Sequence, residues 1–224
     1  LFTGCSLKLP ETAKPEIRQE DTSVPASEPP RTETESSPTA PSQTDDEIEL
    51  KLRQMTLKEK VGQLFIVRPD ALDLSQTAEQ IKDPSADGVK ELSNDMADML
   101  DNYPVGGIAM FGKNISTPDQ ITEFVNSLQN SGNIPLFMAI DEEGGLVARI
   151  AGNDAFNVRR YKSAAAVGES GDPAAAAEMG QTIGRYLHQY GFNLDFAPVA
   201  DVNSNPNNPI IGNRAFSSDA DAAA

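Results

Sequence analysis

The chain has 224 residues, 38% of them hydrophobic, with one cysteine and a formal net charge of −16. That is enough apolar material for a sizeable core, while a lone cysteine excludes an internal disulfide. No Lys/Arg cluster provides the basic face that a polyanion needs, so nucleic acid is excluded as a partner.

The charge divides into −5 over residues 1–46 (four bases, nine acids) and −11 over the rest (14 bases, 25 acids). The first segment also holds seven of the 16 prolines and thirteen Ser or Thr. Such a stretch cannot bury enough apolar surface to offset its chain entropy, and it reads as a disordered tether over residues 1–45, with a folded domain over 46–224. Near its start, Cys5 follows Leu1-Phe2-Thr3-Gly4, a short apolar run ending in glycine. This resembles the tail of a bacterial lipoprotein signal, in which the cysteine becomes an acylated N-terminus. The resemblance implies a lipid anchor at Cys5 and a place in the cell envelope, on the outer side of the cytoplasmic membrane or secreted. A tether of about 40 flexible residues would reach roughly 35 Å from the membrane. No run approaches the ~18 apolar residues that span a bilayer.

After the tether, Thr56 and Glu59 form a capping box, and Leu57, Val61, Leu64 and Phe65 recur at helical spacing, predicting a helix near 56–66. Residues 70–101 are acidic and uneven, with a helical face at Leu92, Met96, Met99 and Leu100. The continuous apolar run Val105 to Phe111 predicts a strand, and Thr117-Pro118 opens a helix carrying Ile121, Phe124, Val125 and Leu128. A second strand begins at Ile134. Asp172-Pro173 opens a helix with Met179, Ile183 and Leu187 that Gly191 closes, and Phe192 to Val202 reads as a third strand. Continuous rather than alternating apolar strands, separated by helices, indicate an α/β fold with a parallel sheet covered on both faces. A doubly wound sheet and a barrel both fit, and in either the ligand lies beyond the carboxyl ends of the strands.

Three sets of polar residues occupy those ends: Lys113 and Asn114; Asp141, Glu142 and Glu143; and Asp201, Asn203 and Asn205, with Arg149 and Arg214 nearby in sequence. Three adjacent acids repel unless cations or donors face them. No metal is expected. The calcium-loop imitation from Asp201 has Pro206 and Gly212 where glycine and glutamate are needed, and a zinc site lacks His and Cys, since His188 reads as a surface residue. No phosphate-cradling loop and no G-x-S-x-G elbow is present, and no cofactor is expected. Carboxylates with arginines suit a neutral polyol, because a carboxylate accepts from vicinal hydroxyls and Arg donates to ring oxygens.

The stretches IDEEGGLVAR (140–149), VGGIAMFGKNI (105–115) and GFNLDFAPVADVNSNPNNPIIGNRAF (191–216), with MTLKEKVGQLF from Met55, resemble glycoside hydrolase family 3. The likeness is to its N-terminal barrel domain in the β-N-acetylhexosaminidase branch, and it covers most of 52–219. It implies the N-terminal part of a (β/α)8 TIM-type barrel, about three strands of eight. It also implies that Asp141, Arg149 and Arg214 bind the sugar. The family motif has glutamine where this chain has Glu142 and arginine where it has Leu146, a departure expected to alter the rim of the site. The family's general acid/base histidine, in a Pro-Gly-His-Gly loop, and its aspartate nucleophile have no counterpart in the 224 residues. The resemblance therefore implies a retaining β-N-acetylhexosaminidase acting on terminal N-acetylglucosamine of peptidoglycan- or chitin-derived saccharides. This chain would carry part of the sugar site, no catalytic residue, and no activity alone. A non-catalytic saccharide-binding surface lipoprotein and a β-glucosidase-type hydrolase are the alternatives.

Overall fold

The computed structural model describes residues 43–224. Cys5 and the expected tether up to residue 42 lie outside the described residues. The last three tether positions belong instead to helix α1 (Gln43–Gln54). Its apolar residues Ile48, Leu50 and Leu52 alternate rather than recur at three and four, so no buried face announces it, and all three are exposed.

Helix α2 (Leu57–Gly62) starts at the expected capping box: Glu59 N donates to Thr56 Oγ1 at 3.2 Å, and Thr56 N donates to Glu59 Oε2 at 2.7 Å. It ends four residues before the expected 66, because the chain turns into a strand that the apolar spacing concealed. This strand, β1 (Ile66–Val67), pairs in parallel with β2 (Gly107–Met110). The apolar residues of that spacing are bare among the described residues, with Leu57 and Leu64 77% and 81% exposed.

Between β1 and β2 the chain makes a long excursion containing a short helix α3 (Ala78–Lys82) and then α4 (Asn94–Asn102), which Ser93 caps and which buries Met96 and Leu100. Helix α5 (Pro118–Gln129) is capped by Thr117 and buries Ile121, Phe124, Val125 and Leu128, the face expected from its spacing. Strand β3 (Phe137–Ile140) follows, then an antiparallel hairpin of β4 (Glu142–Gly144) and β5 (Val147–Ala148). A short α6 (Ala164–Gly168) precedes α7 (Pro173–Gln189), capped by Asp172, which buries Met179, Ile183, Tyr186 and Leu187 and leaves His188 exposed. Strand β6 is only Leu194–Asp195, far shorter than the expected 192–202.

The sheet order is β1-β2-β3-β6, every pair parallel. The order follows the chain without reversal, so these strands contain no switch point of a doubly wound sheet; they wind in one direction, as a barrel does. Ile108, Met110, Met138 and Ile140 share one face of the sheet and are buried, while on the opposite face Ala139 is buried and Phe137 is 54% exposed. The paired glycines at the start of β2 are a packing necessity: a Cβ on Gly106 would sit 2.3 Å from Gln63 O, and one on Gly107 2.5 Å from Phe137 O.

A buried polar knot pins the excursion to the end of β2. Asp70 receives Val89 N at 3.0 Å and Asn114 Nδ2 at 3.0 Å, and lies 3.5 Å from Lys113 Nζ. Asn114 also donates to Val89 O and accepts from Phe111 N, and Lys113 donates to the carbonyls of Gln80 and Ile81. Lys113 and Asn114 thus lie past the carboxyl end of β2 as expected, but spend their side chains on the fold. Replacing Asp70 by alanine strands a buried ammonium, which costs about 3–5 kcal/mol. The urea midpoint of the full-length variant should fall accordingly, and a loss below about 1 kcal/mol would show that the knot does not hold the excursion.

Candidate functional site

The site is built from chain segments leaving the carboxyl ends of β2, β3 and β6. At β3 the buried run ends at Ile140 and the three acids follow directly. Gly144 and Gly145, with φ of +78° and +70°, then reverse the chain in a conformation side chains disfavour. They also allow close packing, since a Cβ on Gly144 would lie 2.5 Å from Met179 Cε and one on Gly145 2.8 Å from Lys162 O.

Each acid has its own partner. Asp141 takes Arg149 Nη2 at 3.3 Å, both side chains remaining 30% exposed. Glu143 takes Arg214 in a two-pronged pair, with Nε donating to Oε2 at 2.8 Å and Nη2 to Oε1 at 2.7 Å. Glu142 turns inward and is fully buried, accepting from the backbone N–H groups of Arg149, Ile150 and Ala151 at 2.5, 2.8 and 2.9 Å and from the Tyr186 hydroxyl at 2.8 Å. The expectation that Glu142 alters the rim is therefore corrected: four donors draw its carboxylate beneath the site. Leu146, at the hairpin tip, is 85% exposed.

The three residues expected to bind the sugar come together at one end of the sheet. Arg149 touches Asp141 directly, and the high pKa of Arg214 is held up first by Glu143, with contributions from Asp201 and Asp141. Other members escaped sequence reasoning. The Arg68 guanidinium lies 4.0 Å from the centre of the Phe111 ring and that of Arg149 5.9 Å from it, so one aromatic ring carries two cations. Asp195 accepts Glu142 N at 2.9 Å. Burial pushes its pKa up to about 6; the Glu142 N–H bond opposes this, and the charges of Glu142, Asp141 and Glu143 add to it. Burial and the Glu142 charge likewise drive the Tyr186 hydroxyl far above its usual range. The signals for these residues were thin: Arg68 follows a strand two residues long, and Tyr186 looks like one more apolar residue of α7.

Glu143 and Asp195 lend polar groups to a cleft of about 1020 Å³, with the buried Glu142 behind them and Met179, Ile183 and Phe216 on its apolar wall. Among the described residues no three His, Cys, Asp or Glu side chains gather as a metal site would require.

The profile of the glycosyl hydrolase family 3 N-terminal domain matches residues 56–224. The chain belongs to this family. It is 34% identical over 171 residues to β-hexosaminidase A of Pseudoalteromonas piscicida, covering 73% of this chain and 28% of that protein. It is 32% identical over 139 residues to the β-hexosaminidase LpqI of Mycobacterium tuberculosis, covering 59% and 33% respectively. The chain thus spans about a third or less of the length of these curated relatives. Among solved structures, the family 3 β-N-acetylglucosaminidase of Paenibacillus sp. str. FPU-7 superposes with a TM-score of 0.62 at 33% identity, over 76% of this chain and 29% of that one. The β-N-acetylhexosaminidase of Beutenbergia cavernae gives 0.59 at 27% identity, over 76% and 48%. The four-strand arc is accordingly the N-terminal part of a TIM-type barrel.

The shifted Asp195 yields a pH prediction. Its folded pKa lies above the unfolded value, so between about pH 4 and 6 the native state binds more protons than the unfolded one, and stability falls as pH rises. Above about 6 the cost of the buried charge is complete. Asp195→Asn, which still accepts Glu142 N, should stabilise the protein by about 1 kcal/mol near pH 7.5, with the gain fading toward pH 4. This is less than full linkage would give, because the carboxylate is part-exposed. Denaturation midpoints at the two pH values decide it.

Proposed function

We propose that the full-length protein is a retaining β-N-acetylhexosaminidase that removes terminal β-linked N-acetylglucosamine, and that this chain supplies part of its sugar site through Asp141, Arg149 and Arg214. One observation carries the reading: the Asp141–Arg149 and Glu143–Arg214 pairs stand side by side past the end of β3 in a family 3 barrel domain. Asp141 has a single bond from Arg149 and part-exposed oxygens, so it can accept from two vicinal hydroxyls. Arg214 gives Nε and one Nη2 hydrogen to Glu143 and one Nη1 hydrogen to Ile210 O, which leaves an N–H on each terminal nitrogen for a sugar oxygen. Charged hydrogen bonds of this kind are each worth about 1.5–3 kcal/mol.

The chemical step belongs elsewhere in the full-length protein. The only histidine, His188, lies in the last turn of α7, which returns the chain to the amino end of β6, opposite the site. Retention in this reading follows the resemblance: a nucleophilic aspartate and a histidine acid, in place of the usual two carboxylates. The asparagine-rich loop at 203–208 supports a hexosaminidase rather than a β-glucosidase. The proposal extends to envelope anchoring through an acylated Cys5 and to peptidoglycan- or chitin-derived substrates, supported by the Leu1–Cys5 pattern and the Ser/Thr/Pro-rich tract that follows.

Full-length protein should hydrolyse a chromogenic β-N-acetylglucosaminide and spare the β-glucoside, while residues 1–224 alone should be inert. Arg149→Ala should raise KM about 10- to 150-fold, the equivalent of one charged hydrogen bond. Saccharide affinity without turnover would replace the enzyme by a capturing lipoprotein. Cys5→Ser should move the protein from the membrane fraction to the soluble one, and an unchanged distribution would remove the anchor.

A further inference from the structure

We infer that Glu142 is a positioning residue for the saccharide: its buried carboxylate fixes the separation of Asp141 and Arg149, with Tyr186 orienting it from α7. This rests on the sugar-site reading above.

The geometry is specific. A carboxylate offers about four acceptor positions, and here four donors fill them. Oε2 receives Arg149 N and Ile150 N, while Oε1 receives Ala151 N and Tyr186 Oη. No Lys or Arg forms an ion pair with Glu142 among the described residues, so donors alone hold its charge. Three of those donors are consecutive, which makes the side chain a clamp on the turn from which Arg149 projects. Ile150 and Ala151 within that turn are themselves buried.

Both halves of the Asp141–Arg149 pair are therefore tied to one residue. Asp141 is joined to Glu142 by the peptide bond, and the Glu142 N–H is fastened in turn to Asp195 on β6. Arg149 is joined through its own N–H to the Glu142 carboxylate. A glutamine here would have one oxygen and two acceptor positions, and its amide would point a donor at a backbone N–H. The carboxylate of Glu142 thus supplies the lone pairs that this turn and Tyr186 consume. Where the side chain belongs to the support beneath the site, its removal shifts Arg149 without touching the sugar, and small misplacements of such groups are costly.

A double-mutant cycle in the full-length protein tests this, using KM for the chromogenic β-N-acetylglucosaminide, or Kd for N-acetylglucosamine by calorimetry if turnover is absent. Glu142→Gln should raise KM about tenfold with kcat within about threefold, and Tyr186→Phe, which removes one of the four donors, should raise it about twofold to fivefold. Neither should add to the effect of Arg149→Ala, because the group they position is gone. Ser93→Ala, which loses the cap of α4, should lower Tm and leave KM unchanged. If Glu142→Gln multiplies the Arg149→Ala defect, or if Tyr186→Phe keeps the wild-type KM, the positioning role is overturned and the sugar site stands. If Arg149→Ala itself changes neither KM nor Kd, the sugar site falls and the positioning role with it. Should Glu142→Gln fail to fold, the cycle with Tyr186→Phe decides alone.

Discussion

Three carboxylates on consecutive residues at the end of a buried strand repel one another, and the structure depends on how that repulsion is relieved. Alternation along the extended chain sends Glu142 into the core and leaves Asp141 and Glu143 on the other side. The inward acid is neutralised by dipoles, four N–H and O–H groups in a dry pocket, while the outward acids meet guanidinium groups brought from the returning hairpin and from the loop beyond β6. Dipoles suit the buried position because they compensate charge without a second ion that must itself be desolvated. Guanidinium groups suit the outer positions because they retain N–H groups to offer a ligand.

Much of this was legible in the residues. The capping box at Thr56, the cap at Thr117-Pro118 and the apolar face of α5 are local signals, and local physics decides them. The clustering of Asp141, Arg149 and Arg214 followed from their places after consecutive strands. What escaped was what only tertiary pairing creates. Strand β1 is two residues long and exists because it pairs with β2, so neither its length nor its composition announces it. The alternating apolar residues of α1 conceal its helix. The third strand was overestimated because its apolar run continues past Asp195 as irregular backbone. Glu142 was expected at the rim because it departs from the family motif, and the sequence cannot show which of three adjacent acids the pleat turns inward.

Asp70 and Glu142, two carboxylates with no exposed surface, solve similar problems by different means. Asp70 binds a lysine and an asparagine to fasten a long excursion, and Glu142 binds a peptide turn to fasten a hairpin. Both lie just past strand ends, where a barrel must hold irregular backbone still while presenting it to solvent. Side-chain acceptors stand in for the missing ladder at those places, satisfying N–H groups that regular structure leaves over.

Phe111 joins these two arrangements. Its ring bears Arg68, which also donates to Ile81 O in the excursion, and it borders Arg149 of the hairpin. The acidic, irregular stretch after β1 looks dispensable from its composition, yet through one aromatic face it adjoins the arginine on which sugar recognition would turn. If the proposed sugar site holds, evolutionary drift in that stretch would reposition Arg149 while every residue of the acidic motif stays the same.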